Sequence, residues 1–249
     1  MRKTIAIRNS LYIICIATAS FVAMSFSRVA TTKNISLHIH HSVAGKDLIF
    51  DNTVYKNKAG QEYTITNFKY YISNIKLIDE AGKAHINADS YYLVRHDDSA
   101  SMDIELTDIP SGKYKSISFL IGVDSLHNCS GAQSGGLDPV NGMFWTWNQG
   151  YIFFKLEGKS PSSKSSGGIY EYHIGGYKAP ANCIRPVTLD LFATDQTGNI
   201  NLTVDVAKIM DGKSSIDLAK MPTVTDFRNA PKVADNYQRM FSIDTTHGH

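Results

Sequence analysis

The sequence predicts an all-β protein: a single antiparallel β-sandwich with a Greek-key, immunoglobulin-like order, long loops and short helical pieces. Apolar residues recur with a period of two along most of the chain. β-Branched and aromatic residues fill these runs, and Gly, Asn, Asp and Pro separate them. No long amphipathic helical pattern interrupts the series, so we expect an architecture built almost entirely from strands.

The alternating runs predict about nine short strands. The runs behind this estimate lie at residues 37–40, 63–66, 67–78, 91–94, 114–123, 151–156, 169–174, 187–192, 200–206 and 240–243, where 67–78 reads as one or two strands and neighbouring runs can belong to one strand. Short helices are expected at residues 215–220 and 234–238. The polar stretch 160–168 predicts a flexible hairpin loop. Residues 124–142 form a longer loop with apolar side chains, and a long structured loop is a common place for function.

Residues 1–30 have the order of a secretory signal peptide: basic Arg2, Lys3 and Arg8, an uncharged apolar run at 11–26, and the small residue Ala30. The apolar run is slightly short for a membrane span of about 20 residues, which favours cleavage over an uncleaved anchor. We therefore expect a mature domain at residues 31–249 with no stable membrane span. Its expected location is the periplasm, the cell surface or the outside of the cell.

The charge of the predicted mature chain argues against a nucleic-acid partner. The formal net charge of the whole sequence is +2. Residues 1–30 contain four basic side chains and no acidic one, so the mature chain carries a net charge of −2. A near-neutral chain without a basic cluster lacks the electrostatic footprint of a nucleic-acid-binding protein.

Two cysteines remain after the signal segment, Cys129 and Cys183. An even pair in an exported protein predicts one disulfide bond. The alternative is two free thiols, which an oxidising compartment disfavours. Their spacing fits no zinc motif.

Sequence motifs of catalysis are absent. The chain has no G-x-S-x-G elbow, no H-E-x-x-H and no phosphate-binding glycine loop. The paired carboxylates Asp97 and Asp98 lie in a polar stretch typical of a solvated loop. We therefore expect a protein that is not an enzyme.

Histidines provide the strongest chemical signal outside the aromatic residues. The chain has nine, and imidazole is a good ligand for copper and zinc. His38 and His40 share one face of the first predicted strand, and His41 lies on the other. Each of them, taken singly, is also consistent with an exposed strand end or tail. The remaining candidates are His127 in the long loop, His173 at a strand end, and His247 and His249 at the C-terminus.

Residues 143–151, with the sequence MFWTWNQGY, contain both tryptophans of the chain, Trp145 and Trp147. An aromatic-rich strand is ordinary core material for a sandwich. Neighbouring Asn141, Asn148 and Gln149 also allow a pocket. The segment alone does not decide between these interpretations.

Several segments together resemble the MbnP-like family of exported proteins, which are related to a copper-binding protein of methanobactin operons. The most specific is the aromatic stretch at 141–151. The supporting segments are Gly122-Val123-Asp124, Leu137-Asp138-Pro139, Lys155-Leu156-Glu157-Gly158, residues 68–75, Tyr172-His173-Ile174-Gly175-Gly176, and Met240-Phe241-Ser242-Ile243 followed by a histidine. The resemblance covers nearly the whole predicted mature chain.

The resemblance implies a copper ion as the bound metal, held near a tryptophan that is oxidised to kynurenine. In some systems a separate dihaem peroxidase-like enzyme performs that oxidation. The implied site uses His40, His173 and His247, with Trp145 or Trp147 beside it. This sequence has Trp147 where some relatives have a histidine, two residues after the modified tryptophan.

The leading functional hypothesis is an exported, non-catalytic protein that holds or transfers copper in the cell envelope. The alternative is a non-metal binding module that uses the aromatic loop for a carbohydrate or a protein partner. The histidines favour the first hypothesis, because sugar binding does not require them. An oxidative copper enzyme with an N-terminal histidine ligand is disfavoured, since the predicted cleavage leaves Thr31 first.

Overall fold

The computed structural model describes residues 31–87, 90–145, 150–191 and 198–244. The predicted signal peptide, Trp147, His247 and His249 lie outside these ranges and stay predictions. The described residues belong to one unit that begins at Thr31. Within the described ranges, no helix has the length and apolar character needed to cross a membrane.

Strands dominate the described part of the chain. They are β1 (Thr32–Val43), β2 (Lys46–Asp47), β3 (Tyr55–Lys56), β4 (Glu62–Asp79), β5 (Ala84–Ile86), β6 (Tyr91–Arg95), β7 (Asp103–Pro110), β8 (Tyr114–Ile121), β9 (Ile152–Lys159), β10 (Ile169–Gly175), β11 (Arg185–Asp190), β12 (Asn199–Asp205), β13 (Thr223–Val224) and β14 (Phe241–Ile243). The prediction of a mostly β protein is therefore confirmed.

Helices are short and lie between strands. They are α1 (Ser125–Cys129), α2 (Ala207–Met210) and α3 (Ala230–Tyr237), with single 3-10 turns at Ser99–Met102, Gly135–Leu137, Pro139–Asn141 and Ser166–Gly168. The predicted helix at 234–238 overlaps α3. The predicted helix at 215–220 is wrong, because the amide of Leu218 donates to Gln61 Oε1 and that of Ala219 to Asp217 Oδ1. Bonds to side chains hold this segment in a turn.

The strands form two sheets. The smaller has the order β14-β12-β1-β2, with β7 also paired to β1. The larger has the order β11-β8-β4-β9-β10-β13, and β3, β5 and β6 also pair with β4. β1 runs parallel to β12, and β10 runs parallel to β13. The expectation of purely antiparallel pairing is corrected by these two pairs, and the Greek-key, immunoglobulin-like order is not confirmed.

β4 organises the larger sheet because it is 18 residues long and pairs with different neighbours along its length. Its first half pairs with β9 and its second half with β8. A bulge separates the β8 registers at Ser73 and Lys76, and within it Asn74 has a left-handed φ of 54°. Bulges commonly redirect a side chain next to a functional site. This one directs the Asn74 amide towards the long loop.

Buried tyrosines fill much of the core. Seven of the twelve largest fully buried side chains are tyrosines, and a buried phenol hydroxyl needs a hydrogen-bond partner. Backbone carbonyls supply most of these partners: Tyr71 donates to Gly136, Tyr151 to Leu137, Tyr170 to Thr64, and Tyr172 to Met221. Two of these bonds fix the 3-10 turn at Gly135–Leu137 to the sheet. The loop at 124–142 is thereby a structured part of the molecule.

Candidate functional site around the aromatic segment

Asp124 and its partners form a polar network where the long loop leaves β8. Asp124 caps α1 by accepting a hydrogen bond from the amide of His127 at 3.2 Å. Asn74 Nδ2 donates to Asp124 Oδ2 at 3.1 Å, and the hydroxyl of Tyr91 also donates to this carboxylate. The same hydroxyl lies 2.7 Å from His127 Nδ1. The bulge of β4, the start of β6 and α1 therefore meet at one carboxylate.

The charge of Asp124 is stabilised by these contacts. Partial burial by itself raises the pKa of the carboxyl, since it disfavours the charged form. Hydrogen bonds from Tyr91, Asn74 and His127 outweigh that effect and lower the pKa to about 2. Asp124 is therefore ionised at neutral pH.

Asn128 connects α1 to the aromatic segment. It is 3% exposed, and its Oδ1 accepts a hydrogen bond from the amide of Tyr151 at 3.0 Å. Gly150 lies directly against the same oxygen and has a left-handed φ of 75°, so a side chain at position 150 would be both strained and blocked. The Gly-Tyr end of the aromatic stretch is thus fixed by the long loop.

Trp145 packs against the end of β10. A Cβ at Gly175 would lie 2.7 Å from Trp145 Cζ3 and 2.5 Å from the backbone oxygen of Tyr151, which leaves no room for a side chain. Met143 is fully buried, and the amide of Trp145 donates to the carbonyl of Gly150 at 3.1 Å. Segments far apart in the sequence therefore converge here. Trp147 belongs to residues 146–149, which lie outside the described ranges.

His173 lies on the outer face of β10, two residues before Gly175. Its Nε2 is 2.6 Å from Glu157 Oε1, and Asn67 Nδ2 donates to the other Glu157 oxygen at 3.0 Å. The bond from His173, together with that from Asn67, lowers the pKa of Glu157 to about 2 against the opposing effect of burial. Opposite His173 in the β9 register is Lys155, whose Nζ donates to the carbonyl of Gly142 at 2.7 Å. The residue opposite His173 therefore reaches the start of the aromatic segment.

His40 lies on the other sheet. It is exposed on β1, and its Nε2 is 3.0 Å from Asp47 Oδ1. No described contact joins His40 to His173, and His247 is outside the described residues. Within the described ranges, no three His, Cys, Asp or Glu side chains are grouped to hold a metal ion. The predicted three-histidine site thus has two described members, which the structure does not bring into contact.

The predicted disulfide is not formed in the structure. Cys129 is exposed at the end of α1, and Cys183 is buried. Burial raises the pKa of the Cys183 thiol to about 12. The amide of Cys183 donates to the carbonyl of Gly176, next to Tyr177.

Sequence reasoning missed two histidines of interest. His85 is half-buried, with Nε2 3.1 Å from Asp79 Oδ2. His96 follows β6 in the stretch interpreted as a solvated loop, yet its ring lies against the buried ring of His41. Both rings are placed by strand pairing, and no local pattern marks them.

Known proteins resemble this chain in sequence and in fold. The MbnP family model matches residues 32–226. Among solved structures, MbnP from Methylosinus trichosporium matches with a TM-score of 0.57 and 17% sequence identity, covering 76% of this chain and 80% of that chain. A search of curated proteins gives no match. Since the family model spans well over half of the sequence, including the long loop, the aromatic segment and β10, this chain belongs to the MbnP family.

Proposed function

We propose that this protein is an exported, non-catalytic copper-binding protein that holds or transfers copper in the cell envelope. Membership of the MbnP family is the observation that carries the proposal. The methanobactin-operon association of that family makes copper the expected metal. The basic, apolar and small-residue order of residues 1–30 supports export.

The residues beside the aromatic segment suggest where the copper is held. Of the two predicted ligands that the structure describes, His173 is linked to this segment, through Lys155 and Gly142. Its bond to Glu157 is the kind of outer contact that orients a metal-binding imidazole. We therefore propose His173 as a ligand, with oxidised Trp145 or Trp147 beside the metal. His40, on the other sheet, has no described contact with this segment.

A maturation partner belongs to this proposal. Conversion of a tryptophan to kynurenine requires an external oxidant, and a dihaem peroxidase-like enzyme is the proposed source. Trp145 is half-buried against Gly175, so the partner has to reach it from the solvent side. The carbohydrate-binding alternative needs an open aromatic face, and the packing of Trp145 gives it less support than the copper proposal receives.

The test is metal analysis of protein purified from its native host, with a mass spectrum of the peptide that contains Trp145 and Trp147. We expect stoichiometric copper and one oxidised tryptophan in the wild type. His173→Ala should lose most of the copper, because an imidazole ligand is removed. His85→Ala is the matched control, since His85 is also half-buried and paired with a carboxylate, Asp79. Metal-free wild type, or equal copper in His173→Ala, would contradict the proposal.

A further inference from the structure

His41 differs from the other histidines of β1 because it points into the protein. Its side chain belongs to the inward set of β1, whereas His38 and His40 lie on the solvent side. Only 2% of His41 is exposed. A buried imidazole needs a hydrogen-bond partner for each of its two ring nitrogens. When the ring is neutral, one nitrogen is a donor and the other an acceptor.

His96 supplies the partner for one of these nitrogens. His41 Nδ1 and His96 Nδ1 are 3.2 Å apart, and the ring centroids are 5.3 Å apart. The other nitrogen of His41, Nε2, is 2.9 Å from the hydroxyl of Tyr70. The pair joins the two sheets, since β1 belongs to the smaller sheet and β6, which ends just before His96, pairs with β4 of the larger.

Every other described histidine has a carboxylate partner. These five pairs are His38–Asp103, His40–Asp47, His85–Asp79, His127–Asp124 and His173–Glu157. His41 and His96 instead face each other. Burial, then the neighbouring His96 and His40, lowers the pKa of His41 to about 3, and burial also lowers the pKa of His96. Their closely spaced Nδ1 atoms make the two rings candidates for binding one cation.

We propose that His41 and His96 form a metal site, separate from the one at the aromatic segment, for a late first-row transition-metal ion of the copper and zinc type. Imidazole nitrogen suits these ions. With metal–nitrogen distances of about 2.0–2.1 Å, two nitrogens 3.2 Å apart subtend roughly 100° at the ion, close to the tetrahedral angle. The separation of the two Nδ1 atoms therefore matches that of two imidazole ligands of one ion.

The surroundings match those of a metal-binding imidazole pair. The Tyr70 hydroxyl can accept the Nε2 proton of His41, which fixes the tautomer that leaves Nδ1 free. Phe68 packs edge-on against His41, and Phe50 packs edge-on against His96. His96 is half-buried, so an ion enters from its side. In the described part of the chain no third ligand completes a group of three, so water or an incoming donor fills the open positions.

A direct hydrogen bond between the two rings is the competing explanation for their approach. One Nδ1 would then carry a proton, and no ion would be bound. The two explanations differ in what the pair does when a metal is added. They also differ in the role of Tyr70, which orients a metal ligand only if the pair binds an ion.

The test is titration of the mature chain with Zn(II), and separately with Cu(I) under reducing, anaerobic conditions, using competition with a chromophoric chelator. We expect His96→Ala to lose one bound equivalent for at least one of the two ions. Tyr70→Phe should lower the affinity for that equivalent by roughly 10- to 100-fold, which is the usual effect of removing a hydrogen bond to a metal ligand. His85→Ala should retain it. If His96→Ala fails to fold, His96→Gln takes its place, since it keeps a polar side chain without imidazole.

The outcomes separate this site from the proposed function. In one outcome, His173→Ala loses copper, while the folded His96 variant binds both ions as well as the wild type does. This result would overturn the proposed His41–His96 site and leave the proposed function standing. Loss of an equivalent in the His96 variant, with none in His173→Ala, would support the pair and count against His173 as a ligand. Wild-type protein that binds neither ion would overturn the pair.

Discussion

At the scale of single residues, partners in space determine the chemistry of the polar side chains. Glu157 and Asp124 have similarly low pKa values, but Glu157 receives its bonds from His173 and Asn67, whereas Asp124 receives them from Tyr91, Asn74 and His127. None of these partners lies within two positions along the chain. A sequence shows which side chains can ionise, and only the fold determines which of them are held charged.

Asp124→Asn should lower the free energy of unfolding at pH 7 by about 1 kcal/mol, because the pKa of Asp124 falls from 3.8 in the reference state to about 2 in the folded protein, and solvent around the partly exposed carboxylate weakens the effect. A carboxyl with a depressed folded pKa stabilises the protein above its unfolded pKa. That contribution disappears as the pH falls through the folded value. The difference between wild type and variant should therefore shrink between about pH 4 and pH 2.

Denaturant unfolding at a series of pH values measures this difference. Asp190→Asn, at the exposed end of β11, is the control and should show little change at any pH. A wild-type to Asp124→Asn difference that stays constant from pH 7 to pH 2 would contradict the assigned role of the carboxylate.

At the scale of elements, close approach between segments explains glycines that the local pattern leaves undetermined. Gly175 ends β10 where the ring of Trp145 and the backbone of Tyr151 occupy the place of a side chain. In the sequence, Gly175-Gly176 only predicts a turn. The local pattern also leaves the long strand β4 undetermined. Two predicted runs form this one strand, and Asn74 at its bulge donates a hydrogen bond to Asp124.

Gly175→Ala should destabilise the protein by roughly 1–3 kcal/mol, the usual cost of an overpacked site. The added methyl would meet Trp145 Cζ3 at 2.7 Å and force the indole away from β10. Thermal unfolding and tryptophan fluorescence measure the two effects. Gly112→Ala is the control, because a Cβ there meets nothing within 4 Å. Unchanged stability and fluorescence in Gly175→Ala would show that Trp145 is not packed as described.

At the scale of the whole molecule, the predicted export signal and the fold lie in different parts of the chain. Residues 1–30 carry four of the basic side chains and the apolar run, and the family match begins at residue 32. The boundary at Ala30 therefore separates a targeting segment from the folded domain in this interpretation. The described residues from Thr31 onward contain the sheets and the network around Asp124.

Expression in a Gram-negative host should give a periplasmic protein whose N-terminus is Thr31 or lies a few residues earlier. N-terminal sequencing of the periplasmic fraction checks this. Ile14→Arg places a charge in the apolar run, and the variant should stay unprocessed in the cytoplasm. An intact Met1 on exported wild-type protein would contradict cleavage.

The sequence by itself determined the β class, the hairpin loop at 160–168, and the family, because alternation and the aromatic motif are local patterns. It missed β7, where Asp108 has a left-handed φ of 58° and interrupts the alternation. It also expected antiparallel pairing only, although β1 and β12 are parallel. A period of two specifies which face of a strand is buried, and it is the same for both directions of pairing.

Only the tertiary structure decided which functional side chains meet. His38, His40 and His41 are neighbours in sequence, yet only His41 lies in the interior, against His96 from a loop 55 positions away. Lys155 lies opposite His173 and reaches Gly142 beside the aromatic segment, whereas His40 lies on another sheet. These contacts depend on strand partners and register, which are set by long-range packing energies and leave no trace in the spacing of residues along the chain.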